Sequence, residues 1–161
     1  MKLLFVIWFF LNFSAKTEIA EIRKIYPEAA ASQNNAQDFA SLLENVNHND
    51  NNVLIAYKGA ALTLRSKFSK KIPEKLTYFK EGAKLVELAI SSEPQNVELR
   101  MIRLSIQESV PAIVNYKNNK KEDVAFIVNN CNDLKGNLKD YIKNFILKSP
   151  SFSKLQKLAI K

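Results

Sequence analysis

The chain has 161 residues, 47% of them hydrophobic, which is enough for one ordinary domain with a sizeable core. Its 24 basic and 16 acidic residues give a net charge of +8, so anionic partners come into consideration. A single cysteine excludes an internal disulfide framework. With three glycines and no long alternating runs of β-branched residues, sheet architectures are excluded in favour of an all-α fold.

Met1-Lys2, the apolar run Leu3–Phe13 and then Ser14-Ala15 have the layout of a secretory signal peptide. The run is well short of the roughly 20 residues of a spanning helix. The expectation is cleavage after Ala15, export to a periplasmic or extracellular destination, and one helical domain over residues 16–161 with no stable membrane span. Loss of Lys2 leaves the mature part at +7, one less than the full chain. The lysines are scattered over several segments, which reads as a solvated basic surface.

Thr17 to Ser32 reads as a first helix with Ile19, Ile22, Ile25, Tyr26, Ala29 and Ala30 inward, kinked or broken at Pro27. A second, about Ala36–Val46, presents Phe39, Leu42, Leu43 and Val46. The polar run Asn47–Asn52 is a loop. A third helix, about Val53–Phe68, carries Val53, Tyr57, Ala60, Leu64 and Phe68 on one face. Its Gly59-Ala60-Ala61 patch allows a neighbouring helix to approach closely.

The segment 72–116 reads as the centre of the fold, two helices folded back across a turn at Ser91–Asn96. The first places Ile72, Leu76, Phe79, Ala83, Val86 and Ile90 on one stripe. The second has two apolar sides, Val97, Met101 and Leu104 on one and Leu99, Ile102, Ile106, Val110 and Ile113 on the other. Neighbours must cover such a helix from both sides. Between the two sides runs a polar line, Asn96, Arg100, Arg103 and Gln107, spaced 4-3-4.

After the loop 117–120, Glu122–Cys131 reads as a short helix with Val124, Ile127, Val128 and Cys131 inward. Asp133 is placed to cap the next helix, which buries Leu134, Leu138, Tyr141, Ile142, Phe145 and Ile146 and turns Lys135, Lys139 and Lys143 to solvent. Ser149-Pro150 ends it. Phe152, Leu155 and Leu158 suggest a last amphipathic turn packing back on the body.

Glu87-Leu88-Ala89-Ile90 followed by Glu93-Pro94-Gln95-Asn96 resembles the end of the second helix of a tetratricopeptide repeat, with an alanine five residues before the proline and an asparagine two after it. The resemblance covers about 15 residues. Thirty-four residues along, where that family has its large aromatic, leucine and glycine, the chain has Arg100, Arg103 and Leu104, so it implies a half-repeat junction rather than an array. The segment ELRMIRLSIQESVPAIVNY, with AYKGAALTL before it and EDVAFIV after it, also resembles a group of small exported helical proteins of unknown function in Gram-negative bacteria. That second resemblance spans most of the mature chain and brings no activity or site residues. Together these features predict an antiparallel bundle of about six to eight helices with a tetratricopeptide-like pair at its centre.

Catalytic motifs are absent: there is no GxSxG, HExxH or glycine-rich phosphate loop. His48, the only histidine, sits in an asparagine-rich loop and reads as ordinary surface. Cys131 reads as a buried small hydrophobe. The run NHNDNN lacks the glycine and closing glutamate of a calcium loop, so no metal or cofactor is expected. Phe68, Phe79, Phe126, Phe145 and Phe152 are mostly at positions expected to face the core, so nucleic acid is not expected. Arg100, Arg103 and Gln107 admit two readings. Two guanidinium forks on one face could clamp a carboxylate or phosphate. Alternatively, the arginines pair internally with Glu87, Glu98 or Asp123 while Gln107 bonds a backbone carbonyl near Pro111. The sequence therefore predicts a non-enzymatic exported interaction or scaffold module with a protein partner. The other prediction is a helical carrier holding a small apolar or anionic ligand near Arg100 and Arg103.

Overall fold

The computed structural model describes residues 19–111 and 114–160. The expected signal peptide, Thr17 and Ile113 lie outside the described residues. Eight α-helices follow one another with no strand among the described residues: α1 (Ile19–Ile25), α2 (Gln33–Leu42), α3 (Asn52–Phe68), α4 (Ile72–Ser92), α5 (Val97–Ser109), α6 (Lys120–Asn130), α7 (Gly136–Lys148) and α8 (Lys154–Ala159). The all-α helical bundle is as the periodicity predicts.

At Pro27 the chain breaks rather than bends. A 3-10 turn over Tyr26–Glu28 carries the proline, and α2 restarts behind the Ser32 side chain, which accepts from the Asn35 amide. The asparagine-rich loop ends in another cap, Asn51 accepting from Val53 N. Asn96 does the same for α5, accepting from the amides of Glu98 and Leu99.

Two helices form the interior. α5 is covered on both sides, as its double apolar pattern predicts, with Leu99, Met101, Ile102, Leu104 and Ile106 buried. Its companion at the centre is α3, buried around most of its circumference, rather than α4. α4 packs chiefly against α3, joined to it by three residues. The contact is close because two glycines meet. A Cβ added at Gly59 would lie 2.6 Å from the Gly82 carbonyl oxygen and 2.8 Å from Val86 Cγ2. The patch at Gly59 thus does admit a neighbouring helix, and Gly82 is the other half of the crossing.

Other expectations need correction. The apolar stripe of α4 is buried at Val86 and Ile90 but not at its start, where Ile72 and Leu76 are 65% and 54% exposed. The cause is length: α4 has 21 residues and α5 has 13, so about eight residues of α4, some 12 Å at 1.5 Å per residue, run past the end of α5. α5 stops at Ser109, so Val110 lies just beyond it and Pro111 follows the helix. Asp133 does not cap α7. A 3-10 turn over Cys131–Asp133 continues α6, and Gly136, at φ +58°, makes the reversal into α7. At the C-terminus Phe152 and Ile160 pack on the core while Leu155 and Leu158 are exposed. A capping box between Ser153 and Gln156 starts α8. Cys131 is fully buried in the common core.

Candidate functional site

Two buried ionic clusters flank α5, and a cleft opens beside one of them. The first cluster contains the polar line. Arg103 donates from Nε to Asp123 Oδ2 at 2.7 Å and from Nη2 to Asp123 Oδ1 at 2.6 Å, a forked pair across to α6. Its Nη1 donates to Glu87 Oε2 on α4 at 2.8 Å, and the Tyr116 hydroxyl donates to the other Glu87 oxygen at 2.6 Å. Arg100 Nη1 donates to Glu122 Oε1 at 2.8 Å and to Asp123 Oδ1 at 3.1 Å, with its guanidinium 5.1 Å from the centre of the Phe126 ring. Asp123 is wholly buried and Arg103 nearly so. Burial alone would lower the Arg103 pKa, but the hydrogen bond and charge of Asp123, with Glu87, outweigh it and raise it. Burial, followed by the bond to Glu87, pushes the Tyr116 phenol up. The Arg100 hydrogen bond holds the Glu122 carboxyl below its ordinary value.

Gln107 is buried on the same side of α5, and its Oε1 has no hydrogen-bond partner among the described residues. The bond to a carbonyl near Pro111 that the sequence suggests would be donated by the amide nitrogen, Nε2, and the orphaned oxygen does not bear on it.

The second cluster was not foreseen as a unit. Glu98 on α5 is buried and receives Arg23 of α1 in a fork, Nε to Oε1 at 2.7 Å and Nη2 to Oε2 at 2.5 Å. Tyr57 of α3 donates to Glu98 Oε1 at 2.8 Å, and its oxygen lies 3.2 Å from the Tyr141 hydroxyl on α7. Glu98 is thus claimed by Arg23 rather than by the arginine line. The hydrogen bond to Glu98 raises the Arg23 pKa, and burial pushes the Tyr57 and Tyr141 phenols well up. One sign of this cluster was in the sequence: Tyr57 lies on an inward stripe, and a buried tyrosine hydroxyl needs a partner.

Arg23 and Tyr141 also line a cleft of about 460 Å³ between the Tyr26–Glu28 turn, α3, α5 and α7. Its floor includes Ala60, Leu64, Met101 and Ile106, all buried, with Phe145 beside them. Polar groups stand at the edges. Tyr26 and Ser105 share a hydrogen bond of 2.5 Å, and Glu108 accepts from the hydroxyls of Ser149 and Ser151. Lys67 at the rim donates to the Ala30 carbonyl at 2.8 Å. Burial pushes the Tyr26 phenol up to about 12, so at neutral pH it offers a neutral hydroxyl. Arg100, Arg103 and Gln107 are not among the cleft residues; they face α4 and α6 from the other side of α5. The cleft was illegible in the sequence because four separated segments each supply only a few of its atoms.

His48 is exposed in its loop. Among the described residues no group of three His, Cys, Asp or Glu side chains is placed to hold a metal ion. Nor is any described helix long and apolar enough to cross a membrane. No family model matches the chain, and no curated protein and no solved structure is significantly similar to it.

Proposed function

We propose that the protein is an exported, non-enzymatic helical domain that acts by binding, and that its cleft takes a small, largely apolar molecule. The observation that carries this reading is the cleft itself. Its volume, about 460 Å³, lies in the range of small-molecule sites, and a buried apolar floor is edged by a few hydrogen-bonding groups. The floor would take the apolar body of the ligand, and Tyr26, Ser105 and Asn144 would orient its polar end. The carrier reading is thereby moved across α5 from Arg100, Arg103 and Gln107. Those two guanidiniums already hold carboxylates on α4 and α6, and we assign them to joining helices. The reading as a protein-interaction module has no comparable support; the exposed start of α4 is taken up below.

The test is equilibrium binding of the fluorescent apolar probe N-phenyl-1-naphthylamine to the mature chain. A saturable single site is expected, abolished by Ala30→Phe, which fills the cleft from its rim. Probe binding that is non-saturable, or unchanged in a folded Ala30→Phe protein, would overturn the assignment.

A further inference from the structure

The chain's positive charge is less scattered than its sequence suggests. Residues 65–84, the end of α3, the connector and the first half of α4, contain seven basic residues and two acidic ones, a net +5 of the chain's +8. Some of these charges are engaged: Arg65 lies 4.2 Å over the Tyr78 ring, and Lys71 pairs with Glu74 at 3.3 Å. Lys70, Lys75, Lys80 and Lys84 have no carboxylate partner among the described residues. In the same place the apolar stripe of α4 comes into the open. Phe79 is braced edge-on by Tyr116 at 5.5 Å, but Ile72 and Leu76, one turn apart on the overhanging end, project outward. On the helical wheel Lys75 and Lys80 flank this stripe on either side.

We propose that this α3–α4 tip is a docking surface for an anionic lipid bilayer. Two protruding apolar side chains flanked by lysines suit an interface in which the apolar groups enter the headgroup layer and the ammonium groups meet its negative potential. Residue type favours a bilayer over an acidic protein. Six of the seven basic residues are lysines, mobile point charges suited to diffuse negative charge, and the one arginine is stacked on Tyr78 rather than presented as a fork for a carboxylate. Ile72 and Leu76 stand on the overhanging helix end and line neither the cleft described above nor a second one of about 440 Å³ bounded by Arg65, Phe68 and Ser69. The attachment is peripheral.

The experiment is co-sedimentation of the mature chain with vesicles of phosphatidylglycerol and phosphatidylcholine, against vesicles of phosphatidylcholine alone. Binding to the anionic vesicles is expected, weakening as salt is raised. Lys70→Gln/Lys75→Gln/Lys80→Gln should reduce it by roughly 100-fold, at about fivefold per lysine. Ile72→Ser/Leu76→Ser, at exposed positions and checked for an unchanged melting curve, should also release the protein. The triple change Lys135→Gln/Lys139→Gln/Lys143→Gln on α7 removes the same charge elsewhere and should reduce binding far less. Equal binding to both vesicle types would overturn the proposal, as would an equal loss in the α7 variant. Capture by immobilised polyglutamate without capture by anionic vesicles would assign the tip to an acidic protein instead.

Discussion

Replacing Arg103 with alanine tests whether the polar line is internal scaffolding. The side chain is 4% exposed and makes two short bonds to Asp123 and one to Glu87. Removing one partner of a buried pair costs about 3–5 kcal/mol, chiefly because the other charge is left without compensation. Two features place this case near the lower end. Arg100 still reaches Asp123 Oδ1 at 3.1 Å, and Glu87, whose side chain is 42% exposed, is screened by water. A loss of about 3 kcal/mol is therefore expected, or a melting temperature lower by roughly 6–12 °C for a domain of this size. Urea unfolding followed by circular dichroism measures it. The mechanism has its own check: Arg103→Ala/Asp123→Asn removes the stranded charge and should recover about 1–2 kcal/mol, a stranded group's desolvation penalty. A loss under about 1 kcal/mol in the single variant would refute the reasoning. So would a double variant no more stable than the single one.

Gly59→Ala or Gly82→Ala should destabilise by about 1–3 kcal/mol through overpacking at the α3–α4 crossing, against the usual helix preference for alanine; urea unfolding of each reads the sign. Alkali should unfold the protein cooperatively. Unfolded phenols ionise near pH 10, whereas burial raises Tyr26 to about 12 and pushes Tyr57, Tyr116 and Tyr141 up as well. Above pH 10 the unfolded chain thus gives up protons that the folded one retains. Stability from each raised phenol, fully present below pH 10, falls by about 1.4 kcal/mol per pH unit up to its folded value. Phenolate absorbance from these four tyrosines should appear together with the loss of helicity, and ionisation near pH 10 in a protein still helical would contradict their burial.

What the sequence made legible was whatever a helical period reports directly. The double-sided α5, the arginine line, the inward Tyr57 and the buried Cys131 all follow from residues three and four apart on one helix. Asp123 and Glu87 were even among the named partners for the arginines. Period reveals which side of a helix is apolar, but not what covers it. Ile72 and Leu76 share a stripe with Val86 and Ile90 and differ only because α5 is too short to reach them. The same limit hid the Arg23–Glu98 pair, separated by 75 residues, and the cleft between α3, α5 and α7. Gly82 was passed over because its role depends on the helix opposite it.

The two ionic clusters fix the rotational setting of α5. Leucines and isoleucines tolerate a helix that turns or slides by a residue, since one apolar contact substitutes for another at modest cost. Forked arginine–carboxylate pairs do not. Glu98 is locked to α1 on one side and Arg103 to α6 and α4 on the other. A one-residue slip turns α5 by about 100° and would carry both charges away from their partners at once. Every alternative seating of this helix therefore leaves ions buried and unpaired on two sides. α5 behaves as a shaft with two keyways, and its single seating holds Met101, Ser105 and Ile106 in place along the cleft.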